Sequence, residues 1–116
     1  MRALLKADGS AVHYTEPVSS REIDRLIGAR ITDVVRLRHL GPTPEHVMIV
    51  DDEGWDTEQR ISSIGGGQLL ELVPVKARKP VNELATRLYH AECVPGTEHQ
   101  IVGDVFVCPD KDFGKP

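Results

Sequence analysis

Two short stretches of this chain are apolar at consecutive positions, and together they decide what it can fold into. Val47-Met48-Ile49-Val50 follows His46, and Val105-Phe106-Val107-Cys108 closes a longer run that begins at Gln100. A strand sends successive side chains to opposite faces, so a strand apolar at every position must be covered on both. Each stretch is therefore expected inside a sheet and not at its edge. Gln100 to Cys108 is expected as one strand, with Ile101, Val105 and Val107 on one face and Val102, Phe106 and Cys108 on the other.

The elements around these two strands carry clearer punctuation. Met1 to Lys6 is a short apolar start, Asp8-Gly9 is a hairpin signal, and Ala11 to Thr15 reads as the return strand. Ser19 and Glu22 form a capping-box pattern, and Val18 and Ile23 stand at staple spacing around it. Ile23, Leu26 and Ile27 make one apolar stripe that Gly28 terminates, which predicts a short helix. Arg30 to Leu40 alternates, with Ile31, Val35 and Leu37 opposite Arg30, Arg36 and Arg38, as a half-buried strand would. Gly41-Pro42-Thr43-Pro44 breaks it. A second helix is predicted from Glu83 to about Glu92, capped by Asn82, with Leu84, Leu88 and Ala91 as its stripe. Pro95-Gly96 is a turn.

Residues 55–79 are the least legible. Gln68 to Val73, after Gly65-Gly66-Gly67, fits helix or strand, and Pro74 ends it or marks an edge. The pattern as a whole predicts an α+β fold: one domain over 1–108, a mainly antiparallel or mixed sheet with two helices packed on one face, and a polar C-terminal tail at 109–116 that frays. A chain of 116 residues should compact to a radius of gyration of roughly 13 Å. Aromatic residues are only 4%, so the core must be aliphatic.

Charge and cysteine content narrow the function classes. A net charge of -4 without a dense basic run argues against nucleic acid as the main partner. The charge is uneven: Glu45 to Glu58 holds six acids and no Lys or Arg, whereas Lys76, Arg78 and Lys79 cluster. Were the acids to line one face, a DNA-like surface would result. Met1 to Leu5 reaches Lys6 and Asp8 too soon for a signal peptide, and no stretch has the ~20 apolar residues of a membrane span. With Cys93 and Cys108 as reduced thiols, the expected compartment is the cytoplasm, with no membrane contact.

Several segments resemble a known family. Val50-Asp51-Asp52-Glu53-Gly54, Pro80-Val81-Asn82 with Ala85 and Leu88-Tyr89, Gly96-Thr97, and Ile101-Val102-Gly103-Asp104-Val105 resemble the domain of unknown function 3846 family over the last two-thirds of the chain. The Trp55 to Lys79 stretch is longer than that pattern. The resemblance implies a small accessory product of a bacteriophage or mobile element, acting in a bacterial host cytoplasm. It implies context and no particular chemistry.

Four constellations remain. Asp51, Asp52 and Glu53 offer oxygen ligands for a hard divalent metal, against the plainer reading of a turn with Gly54 in the left-handed conformation. His90, Cys93, His99 and Cys108 offer zinc-ligand types, although only His90 and Cys93 have suitable spacing. Asp104 on an apolar face would be costly unless paired, or it could form a polar pocket floor with Asn82, Tyr89 and Thr97. Trp55, the lone tryptophan, is a candidate contact if exposed. The expected function is a non-enzymatic binding or inhibitory module, without cofactor, acting on a host protein or a nucleotide-like small molecule, with a homo-oligomer as its expected state. The competing expectation is a small metal-assisted hydrolase built on the Asp51-Asp52-Glu53 turn with a histidine as base.

Overall fold

A computed structural model of the protein describes residues 1–38 and 45–113. The expected break at 41–44 and the last expected residues of the preceding strand lie outside these. The chain runs β1 (Ala3–Leu5), β2 (Ala11–His13), α1 (Ser20–Ile27), β3 (Thr32–Leu37), β4 (His46–Asp51), β5 (Trp55–Ile64), β6 (Gly67–Ala77), α2 (Glu83–Glu92) and β7 (Val105–Pro109), then a 3-10 turn at Asp110–Asp112. Five strands form an antiparallel sheet in the order β2-β1-β7-β4-β3, and β5 and β6 pair as a separate ribbon. The fold is α+β, and the doubly apolar strands β4 and β7 are neighbours inside the sheet.

The helices lie on opposite faces, not on one. Leu4, Val47, Ile49, Phe106 and Cys108 pack with Ile23 and Ile27 of α1. Ala3, Leu5, Met48, Val50, Val105 and Val107 pack with Ala85 of α2, with Leu88 and Tyr89 partly buried beside them. The reason lies in the strands themselves. Each fully buried aliphatic or aromatic side chain is worth about 1.5–3 kcal/mol, and leaving one face of β4 and β7 wet would forfeit half of that. Burial also pushes the Cys108 thiol up to about 11.

α1 begins as its sequence says: Ser19 Oγ accepts the Glu22 amide, and Gly28 closes the helix at φ 66°. The box is only half made, because the Glu22 carboxylate goes to Arg25. α2 is capped by Asn82 Oδ1, which accepts the Ala85 amide at 3.0 Å. Its buried stripe is Ala85, Leu88 and Tyr89, not Leu84, Leu88 and Ala91, since Leu84 and Ala91 face water.

The expected long last strand is broken at Gly103, whose φ is 78°. Before that bend only Val102 bridges, to Val81; after it β7 joins the sheet. Nor does the chain fray at Pro109. Pro109 pairs with His46, and the Asp112 carboxylate meets Arg2 Nε at 2.6 Å. Residues 55–77 form a twisted ribbon, turned by Gly65 and Gly66 at φ 57° and 83°. This arm explains the long shape, 54 × 28 × 27 Å, and a radius of gyration of 15.7 Å in place of the expected 13 Å.

Candidate functional site

On the α2 side a cleft of about 250 Å³ opens between one end of the β3–β4 pair, α2 and the root of the arm. It is lined by the apolar Val35, Val50, Ile101, Val102 and Pro74, by the acids Asp33, Asp51 and Asp52, and by the rings of Trp55, Tyr89 and His99. The antiparallel register sets Asp33 opposite Val50 and Thr32 opposite Asp51, which carries the three aspartates to the same end of the sheet. The rings form a row: Trp55 to His99 is 5.8 Å between centroids, His99 to Tyr89 5.9 Å, and Tyr89 to His90 6.0 Å. The Trp55 indole donates to the Gln100 carbonyl at 3.1 Å, and a His90 ring nitrogen lies 2.7 Å from the His99 carbonyl. These contacts hold the ring row against the segment that leads into β7. A hydrogen bond to Cys93, together with burial and the nearby Asp33 charge, holds the Tyr89 phenol above its ordinary value.

The acidic turn does not converge. Asp51, whose side chain is 6% exposed, meets Lys79 Nζ at 2.6 Å and accepts the Glu53 amide at 2.9 Å. Glu53 turns outward to Arg30, at 2.8 and 3.1 Å, and that guanidinium holds its carboxyl below the usual carboxylate range. Asp56 pairs with Arg78. The turn thus has its carboxylates committed to different cations and not gathered on one centre. Only Asp52 from the turn, joined by Asp33, reaches the cleft without a base beside it among the described residues. Gly54 is not left-handed. It is glycine for space, since a Cβ there would lie 2.7 Å from a Val102 methyl.

The other sequence candidates disperse. Asn82 is buried at 1% exposure and fully engaged, donating to the Leu5 and Gly103 carbonyls at 3.0 Å each while capping α2. It ties helix, first strand and last strand together and offers nothing to a ligand. Asp104 accepts the Ala7 amide at 2.9 Å and borders a separate hollow with Lys6, Arg25 and Lys79. Thr97 bonds the Val94 carbonyl within its own turn. Of the four residues expected to share a pocket, only Tyr89 lines the cleft. The zinc set is split by the sheet: Cys108 faces α1, whereas His90 and Cys93 belong to α2. Among the described residues no three His, Cys, Asp or Glu side chains gather as a metal site would require.

Sequence reasoning missed Asp33, which sits among the polar positions of an alternating strand, and Lys79. The Lys79 ammonium reaches the Ile27 and Gly28 carbonyls at 3.1 and 3.0 Å, as well as Asp51. Its stem passes over Gly103, where a Cβ would lie 2.7 Å from the Lys79 Cδ. An isolated glycine inside an apolar strand pattern is the signal that something passes close by. Among the described residues no helix is long and apolar enough to cross a membrane. The chain matches no family of known proteins, no curated protein and no solved structure.

Proposed function

We propose that the protein is a binding module whose cleft receives a cationic side chain, lysine or arginine, from a protein partner. The observation that carries this reading is the pairing of two carboxylates that have no base beside them, Asp33 and Asp52, with the ring row Trp55–His99–Tyr89, in a lining that holds no lysine or arginine among the described residues. Ring faces and carboxylates both attract a cation, and the attraction grows where water is partly excluded. The same charges repel phosphate, so the nucleotide-like alternative is the weaker one. Size points the same way: about 250 Å³ is below the ~300–1,000 Å³ of drug-sized sites and suits one side chain. The hydrolase alternative draws little support, because Asp51 and Glu53 are each held by a base. The setting we infer, a mobile-element accessory protein acting on a host protein in a bacterial cytoplasm, is carried by the family resemblance alone, in the acidic turn, the Pro80-Val81-Asn82 segment with Ala85 and Leu88-Tyr89, Gly96-Thr97, and Ile101 to Val105.

Trp55 is the only tryptophan, so its emission reports the cleft directly. Titration with an acetylated, amidated Ala-Arg-Ala or Ala-Lys-Ala peptide should change that emission saturably, and Ala-Glu-Ala should not. Replacing Asp33 and Asp52 together by Asn should weaken the cationic peptides roughly tenfold, or about 1.4 kcal/mol. No saturable change, or equal affinity after the double replacement, would remove the proposal.

A further inference from the structure

His99 holds the centre of the ring row. It stands between Trp55, at 5.8 Å, and Tyr89, at 5.9 Å, and lines the same cleft as Asp33 and Asp52. Two bonds fix the backbone that carries it: the Trp55 indole donates to the Gln100 carbonyl, and a His90 ring nitrogen meets the His99 carbonyl. A carbonyl only accepts, so that His90 nitrogen carries its hydrogen whether the His90 ring is neutral or charged. His90 can therefore gain a proton without losing its bond. His99 is exposed, so solvent protons reach it.

We propose that His99 makes the cleft pH-sensitive: its neutral ring admits the cationic side chain, and its imidazolium excludes that side chain. The inference rests on the reading of the cleft as a cation site. Histidine is the side chain whose charge ordinarily changes between about pH 5 and 8. When neutral, His99 is a third ring in the row. When charged, it sets a cation among the groups that would hold the ligand, and the faces of Trp55 and Tyr89 and the carboxylates of Asp33 and Asp52 act on that charge instead. Proton and ligand then weaken each other by the same factor. Affinity is full while the ring is neutral and falls as pH drops through the range in which it takes its proton. The other titratable groups around it are Asp33 of β3, Asp51 and Asp52 at the end of β4, Tyr89, His90 and Cys93 of α2, and Glu98 beside it in the chain. Asp51 is already paired with Lys79. As classes, carboxyls change charge at lower pH, and phenols and thiols at higher pH. That leaves His90 as the rival in this window among the described residues, and it stands outside the cleft lining.

The test is the affinity of acetylated, amidated Ala-Arg-Ala, read by Trp55 emission at about pH 8 and about pH 5.5. The peptide's arginine stays charged throughout, so any change lies in the protein. Wild type should bind roughly tenfold more weakly at the lower pH. His99→Gln should lose most of that ratio and His90→Gln should keep it, whatever the affinity of either variant at the higher pH. Proton NMR of the wild type is a second measure that needs no variant. Saturating peptide should move the titration of the His99 ring to lower pH by roughly one unit, the counterpart of a tenfold coupling. A peptide that fails to bind near pH 8 removes the cleft reading and this inference together. Equal affinity at both pH values overturns this inference alone, as does a ratio that survives His99→Gln or is lost only in His90→Gln. A His99 titration that the bound peptide leaves unmoved overturns it in the same way.

Discussion

Asn82 makes four separate links with one side chain and one peptide unit: to Leu5, to Gly103, to the Ala85 amide, and through its own amide to the Ile101 carbonyl. Asn82→Ala strands two buried carbonyls and one helix amide, each costing about 1–3 kcal/mol. The expected loss is roughly 3 kcal/mol or more in a urea unfolding series. Asn82→Asp should be no better, because it keeps the cap but sets an oxygen against two carbonyls. The cap was legible, since an asparagine three residues before Ala85 satisfies a purely local rule. The remaining bonds join residues 5, 101 and 103, and no local pattern encodes a partner that far along the chain. Asp33 was hidden for the same reason: it stands beside Asp52 only once the β3–β4 register is known.

Elements with a core face declared themselves; of those without one, β2 was given away by its Asp8-Gly9 turn and the ribbon was not. α1, β4 and the stretch around β7 each had a period or a run that burial imposes. The ribbon β5–β6 is wet on both sides over most of its length, so nothing enforces alternation there. Its Pro74 sits next to the register shift at Asp56/Thr57, where a missing amide is tolerated. The two-faced packing of the helices was implicit in β4 and β7, and both helices could not have covered them from one side. Lys79 is the connector between elements. Its ammonium completes the C-terminal end of α1, where the helix dipole favours a cation, and neutralises Asp51 at the end of β4. Lys79→Met keeps the stem over Gly103 and removes only the charge. It should destabilise the fold by about 2 kcal/mol in the same denaturation experiment, and Lys79→Arg should recover only part of this, because a planar fork does not match three partners around a point charge.

For the molecule as a whole, acid is the simplest probe. Ser10 holds the Asp8 carboxyl below its ordinary range, Arg25 does so for Glu22, and Arg30 for Glu53. A carboxyl with a depressed folded value adds stability above its unfolded value of about 4, and that contribution disappears as pH falls through the folded value. Melting temperature should therefore be level from neutral pH to about 5 and fall progressively below 4. Glu53→Gln should flatten part of that slope, which differential scanning calorimetry across the range would read.

The strand order has one more consequence. β1 with β2 and β3 with β4 are pairs of consecutive strands, yet β7 stands between the two pairs and is the last strand in the order of the chain. A nascent chain must therefore hold two unjoined half-sheets, each with a greasy flank, until Val105 to Pro109 emerges to zip them. Biogenesis of this fold is thus a late, all-at-once closure, and a synthesis halted before Gly103 should yield a species that chaperones or proteases remove.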